Sequence, residues 1–167
     1  MGNDIRNRSG ELKANKVVSC LMEGKVSEAL TGEFIADTDI DTKLSLKDIA
    51  VPVDADSSQL CAVAAAASGR SFVLHGPPGT GKSQTITNMI ANALFNGKSV
   101  LFVAEKMAAL KVVQKRLANI GLDPFCLELH SNKTNKSAVL SELNKALETV
   151  QVKSPEQHAA TADKLAQ

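Results

Sequence analysis

Tryptophan and tyrosine are absent from this chain, and phenylalanine occurs only five times. Any stacking on a nucleobase must therefore come from one of those five rings. Cysteine is sparse. Cys20, Cys61 and Cys126 lie far apart and follow no metal-ligand spacing, which excludes a zinc site. They read as reduced, buried thiols of a cytoplasmic protein. No apolar run approaches the roughly 18 residues that cross a bilayer, so the membrane is excluded as a partner. The opening Met1-Gly2-Asn3-Asp4-Ile5-Arg6 lacks the apolar stretch of a secretory signal. It also carries Arg6 where an N-myristoylation start needs Ser or Thr.

What is present suits one domain with a real core: 167 residues, 44% of them apolar. The net charge of +1 hides an asymmetry. Residues 1–56 hold 7 Lys/Arg against 11 Asp/Glu, and the remainder is basic. That balance suits anionic ligands in the second part of the chain.

The stretch that organises the sequence is Gly76-Pro77-Pro78-Gly79-Thr80-Gly81-Lys82-Ser83. It fits the phosphate-binding loop pattern, a Gly and, after four intervening residues, Gly-Lys-Ser/Thr. Before it, Ser71–His75 reads as a short buried strand. After it, Ile86, Met89, Ile90, Ala93 and Leu94 repeat at helical spacing. The residue types answer a chemical need. A triphosphate concentrates negative charge, and such a loop turns backbone N–H groups toward it at the positive end of a helix. Glycines let the backbone approach closely. Lys82 would reach the β- and γ-phosphates, and the Ser83 hydroxyl would hold Mg²⁺.

Around this loop the pattern predicts alternating elements. Residues 1–32 read as irregular helix, with Leu12, Val17, Val18, Leu21 and Met22 on one face before Gly24, and a second short piece ending at Leu30 and Gly32. Residues 33–56 are acidic. Asp37-Thr38-Asp39-Ile40-Asp41 lacks the Gly and Glu of a calcium loop and reads as a solvated linker. Ile49–Val53 reads as an extended arm, with Pro52 blocking a helix. Asp56 and the serines cap a helix over 57–67 that ends at Gly69 and, with its many alanines, can pack closely on a sheet. Ser99–Ala104 and Phe125–Leu129 read as two further strands. Between them lies a helix with Leu110, Val113, Leu117 and Ile120 on one face, ending at Gly121. Leu140, Leu143, Leu147 and Val150 stripe another. The expected fold class is α/β: a parallel sheet with flanking helices, as in a partial P-loop NTPase domain. Ser154-Pro155-Glu156-Gln157 reads as a helix start, and the chain is expected to be cut at residue 167 within that helix.

Four stretches together resemble the first motor domain of superfamily 1 DNA/RNA helicases. They are Asp56-Ser57-Ser58-Gln59-Leu60, the glycine loop, Val100–Lys106, and Leu127-Glu128-Leu129-His130-Ser131. The likeness is to the subgroup of the nonsense-mediated-decay helicase and its large bacterial relatives, and it covers residues 44–153. It implies a RecA-like domain there, preceded by an N-terminal segment and acidic linker over 1–43 and followed by the start of a helical insertion over 154–167. It implies ATP and Mg²⁺ as cofactors. Gln59 would read the adenine edge. Gly76, Pro77, Pro78, Gly79, Thr80, Gly81, Lys82, Ser83 and Gln84 would line the nucleotide, with Lys82 and Ser83 as the catalytic pair and Ser83 on the metal. Glu105 and Lys106 would meet single-stranded DNA or RNA, and His130 and Ser131 would lie near it. The remaining lobes of the same parent would complete the enzyme, so this chain alone is expected to bind Mg-ATP but neither to unwind nor to hydrolyse efficiently. The alternatives are a complete small P-loop ATPase or nucleotide kinase with Glu105 as its acid, and a non-catalytic nucleotide-binding scaffold.

Overall fold

The computed structural model describes residues 2–24, 35–45, 49–77, 79–129, 136–149, 156, 160–161 and 163–164. Among them the chain is helical: α1 (Gly2–Asn7), α2 (Ser9–Ala14), α3 (Lys16–Glu23), α4 (Ile40–Lys43), α5 (Ser57–Ala67), α6 (Lys82–Phe95), α7 (Met107–Asn119) and α8 (Lys136–Glu148). Single 3₁₀ turns occupy Asp37–Asp39 and Asp123–Phe125. The readings that fell on Leu30, Gly32, Pro78, His130, Ser131, Val150 and Ser154–Pro155 lie outside the described residues.

Local chemistry explains where these helices begin and end. The Asn15 side-chain oxygen accepts from the N–H groups of Val17 (3.0 Å) and Val18 (3.2 Å) and so starts α3, while Gly24 at φ +65° ends it. The predicted N-terminal face thus does stop at Gly24, but Asn15 breaks it in two, and Leu21 and Met22 stay exposed. Asp56 starts α5 through a complete capping box with Gln59. α6 and α7 each run out into a left-handed glycine, Gly97 and Gly121.

The α/β expectation is overturned. Among the described residues no strand or sheet forms. Residues 71–75, 99–104 and 126–129 are non-helical, with Phe125 ending the 3₁₀ turn, but these segments do not pair. A segment becomes a strand only when a second backbone about 4.8 Å away satisfies its N–H and C=O groups. Here the segments lean on helices by one side instead. Phe102 and Cys126 pack onto the α6–α7 core, whereas Leu101 and Val103 are 86% and 75% exposed. The expectation of burial on both faces fails for the same reason. The two later segments line a shared groove of ≈ 790 Å³, together with Leu110, Val113, Gln114 and Leu117, rather than closing a ladder.

The core is a contact between helices. Ile90 of α6 meets Val113 and Leu117 of α7, with Ile86, Leu94, Phe102, Ile120, Leu122 and Cys126 around them. The predicted α7 face is therefore the packed one. Small residues of α5, Ala62, Val63 and Ala65, are buried where that helix packs on α6, not on a sheet. The acidic stretch is also more ordered than a solvated linker. Ile40 is buried at the start of α4, beside α5. The Lys43 ammonium lies 2.7 Å from Asp39 and holds that carboxyl below its usual range.

Cys61 ties this acidic turn to α5. Its thiol lies 3.0 Å from the Ile35 carbonyl oxygen and 3.1 Å from Asp37 Oδ1, and donates to one at a time. Desolvation, reinforced by the Asp37 carboxylate, pushes the thiol up to about 11. An unfolded thiol ionises near 8.5, so this contact contributes stability below that pH and loses it as pH rises toward the folded value. Only thiolate is alkylated. At pH 8 iodoacetamide should therefore modify Cys61 at least about 100-fold more slowly in the folded chain than in the urea-unfolded chain, read by peptide mass mapping. Equal rates would mean that the thiol is not held as described.

Candidate functional site

The glycine loop joins residues 71–75 to α6. Thr80 folds it back on itself: its N–H and its hydroxyl both donate to the Pro77 carbonyl, at 3.4 and 2.9 Å. Gly79 and Gly81 take φ of +89° and +79°, which disfavours any side chain. Gly76 is held to glycine by space instead, because a Cβ there would lie 2.6 Å from Thr80 Oγ1.

Lys82 opens α6 and turns back over the loop. Its ammonium donates to the carbonyls of Gly76 and of Pro77, the latter at 2.7 Å. The helix start carries no side-chain cap, because Gly81 stands at the cap position. The N–H groups of a first helical turn have no intrahelical acceptor. Only from Gln84 and Thr85 do the amides return to the Gly81 carbonyl, at 2.8 and 2.9 Å. One place thus gathers a cation, uncapped amides, the positive end of a helix dipole and glycines that keep it open. That set fits a polyphosphate. Ser83 is half-buried beside Lys82, and its carbonyl accepts from Thr87 Oγ1 (2.8 Å). Among the described residues no group of three His, Cys, Asp or Glu could hold a metal.

Gln59 is brought to the loop from α5. Its Nε2 donates to the Thr80 carbonyl (3.3 Å), and its Oε1 accepts from the Asp56 N–H (3.4 Å). Each end of the amide keeps one unused valence, a second N–H and a second lone pair. The Asp56 carboxylate accepts from the Ser58 hydroxyl (2.7 Å) and the Gln59 N–H (2.8 Å), and these bonds hold its pKa below the usual range. The contribution of this cap is present above about pH 4 and is lost as pH falls through the folded value.

Glu105 and Lys106 belong to a different segment of the chain, just before α7. They are exposed, in the turn that starts α7, and among the described residues their side chains make no hydrogen bond or ion pair.

One feature escaped the sequence reading. Gln84, Asn88, Asn92 and Asn96 recur every fourth residue along α6, and the first three bind the backbone of residues 50–54. Gln84 Nε2 donates to the Asp54 carbonyl. Asn88 accepts from Val53 N–H (3.1 Å) and donates to Val53 C=O (2.8 Å). Asn92 accepts from Ala50 N–H (2.9 Å). The arm is a strap laid antiparallel along the helix. The period-four amides were visible in the sequence, but amides on a helix ordinarily face water.

Comparison with known proteins places the chain in a class. It belongs to the AAA domain family, which residues 54–165 match. Two relatives are more particular. An uncharacterized ATP-dependent helicase of Mycoplasma genitalium is 46% identical over 77 residues, 46% of this chain. Its homologue in Mycoplasma pneumoniae is 55% identical over 47 residues, 28% of this chain. The chain spans 7% and 4% of the lengths of these relatives. The helicase likeness read from the motifs agrees with both. No solved structure matches. Among the described residues no helix is long and apolar enough to cross a membrane.

Proposed function

We propose that this chain is the nucleotide-gripping portion of an ATP-dependent helicase or translocase acting on single-stranded DNA or RNA in the cytoplasm. The observation that carries the reading is the Lys82 ammonium folded over a glycine loop at the uncapped start of α6. The helicase names of the two relatives support the reaction class.

In this reading the loop from Gly76 to Gly81, with Gln84 beside it, cradles the β- and γ-phosphates of ATP. Lys82 exchanges its two carbonyl acceptors for phosphate oxygens, which are stronger acceptors because they are charged. Ser83 would hold Mg²⁺ through its hydroxyl, and the metal would supply neutralisation of the phosphate charge. Gln59 reads the adenine edge with its remaining donor and acceptor, and so favours ATP over GTP. Glu105 and Lys106, both exposed, are available to a nucleic-acid strand. Hydrolysis and movement belong to the assembled motor, of which this chain is one part.

The test is Mg-ATP binding and turnover by the chain, with and without single-stranded DNA and RNA. A fluorescent ATP analogue is needed because the chain has no Trp or Tyr. Saturable binding with turnover far below the 1–10³ per second typical of enzymes (roughly) is expected. Efficient turnover by the chain alone would replace the half-motor reading with that of a self-sufficient ATPase.

A further inference from the structure

We propose that Asn88, with Asn92, is a positioning residue that sets base selectivity, by strapping residues 50–54 to the helix that carries the phosphate grip. The inference rests on the nucleotide reading above and deepens it.

Asn88 and Asn92 are among the most deeply buried side chains of the chain. A buried amide is costly unless its polar atoms are bonded. Asn88 satisfies both ends on a single residue, taking the Val53 N–H on Oδ1 and giving Nδ2 to the Val53 carbonyl. This is a two-point clamp that fixes the register of the strap as well as its attachment. Asn92 pins the strap further along at Ala50, and Asn96 Nδ2 in turn donates to Asn92 Oδ1 at 3.2 Å. A one-residue slip of the strap would break the bonds to Ala50 and Val53 together.

The strap leads directly into the base reader. Three residues after Val53 stands Asp56, whose N–H binds the Gln59 amide oxygen and whose carboxylate caps α5 under Gln59. The Gln59 amide nitrogen reaches the loop at Thr80. Gln59 therefore has two supports, and one of them is the end of the strap. Lys82 and Ser83 lie on the first turn of the same helix that holds the strap. Asn88 is five residues further on, about 7.5 Å along the axis. One rigid helix thus registers both the phosphate-binding end and the base-reading amide. Selectivity between adenine and guanine depends on where a donor and acceptor stand relative to an anchored phosphate chain, so the strap is the element that sets it. A purely structural role would make Asn88 matter equally for any nucleoside triphosphate.

The experiment measures fluorescent ATP and GTP analogues against the wild-type chain, Gln59→Ala, Asn88→Ala and Asn92→Ala, with amide hydrogen exchange at Ala50 and Val53 in each. The wild type should prefer ATP and protect both amides. Asn88→Ala should unprotect Val53 and cut the ATP-to-GTP preference about fivefold, close to the loss in Gln59→Ala, while GTP affinity moves less than about threefold. Asn92→Ala, about three turns from the loop, should do the same to a smaller degree, and it serves if Asn88→Ala does not fold. Equal losses for ATP and GTP with an unchanged ratio overturn the positioning role, as does rapid exchange of the strap amides in the wild type. A wild-type chain that binds neither analogue overturns the nucleotide reading itself and the selectivity role with it.

Discussion

Lys82→Ala should weaken binding of a fluorescent ATP analogue by roughly 30- to 100-fold, the value of one hydrogen bond to a charged group at about 1.5–3 kcal/mol. The size follows from what the side chain does. Its ammonium is the cation placed over the loop, bonded to the Gly76 and Pro77 carbonyls. Those bonds hold it where phosphate oxygens would arrive, so the charge needs little reorganisation when it exchanges acceptors. Alanine removes the cation and both bonds, and leaves two loop carbonyls to water. The loss should be the same for ATP and GTP, because Lys82 addresses only the phosphate chain. That sets it apart from Gln59→Ala and Asn88→Ala, which should change the ratio. The melting temperature should move little, since the bonds released are to partly exposed carbonyls that water can satisfy. Unchanged affinity in Lys82→Ala would mean that the loop is an ordinary turn between residues 71–75 and α6, and the functional reading would have no anchor left.

The parts of the molecule legible in the sequence are those decided locally. Asp56, two serines and Gln59 announce the start of α5 because a capping box is written within four residues. Gly97 and Gly121 mark the ends of α6 and α7 because a left-handed turn needs them. The glycine pattern marked the turn that leads into α6, since its geometry is a property of contiguous backbone. What was not legible depended on partners distant in the chain. Residues 71–75, 99–104 and 125–129 have strand-like composition, but pairing is a relation between segments, and Val73 at 89% exposed is not buried in a sheet. The strap failed in the opposite sense. Asn88 and Asn92 look like ordinary solvated positions until the backbone of residues 50–54 is laid over them. Gln59 was placed near the loop by resemblance, yet its second support, the Asp56 N–H, depends on how the strap arrives.

The largest effect on stability is expected from Leu117→Ala, and a paired variant makes the result decisive. Leu117 and Leu147 read alike in the sequence, each an apolar residue in a helical stripe. Leu117 is 4% exposed, packed in the α6–α7 core with Ile90 and Val113, and its carbonyl accepts from Leu122 N–H at 2.9 Å. Leu147 is 84% exposed, and Leu140 and Leu143 are exposed beside it. Truncating a buried leucine removes transfer energy and leaves a cavity that neighbours fill only in part, at about 2–5 kcal/mol. At roughly 2–4 °C per kcal/mol for a chain of this size, Leu117→Ala should lower the melting temperature by about 4–20 °C. Leu147→Ala should stay within about 0.5 kcal/mol of wild type, a shift of no more than about 2 °C. Far-UV circular dichroism suits the measurement, because the signal is helical and needs no aromatic residue. The difference between the variants matters more than either value. It weighs the two stripes against each other under the same conditions, and both substitutions change the chemistry in the same way. A Leu147→Ala loss as large as that of Leu117→Ala would mean that the α8 stripe is covered in solution, and the core would then extend beyond α6 and α7.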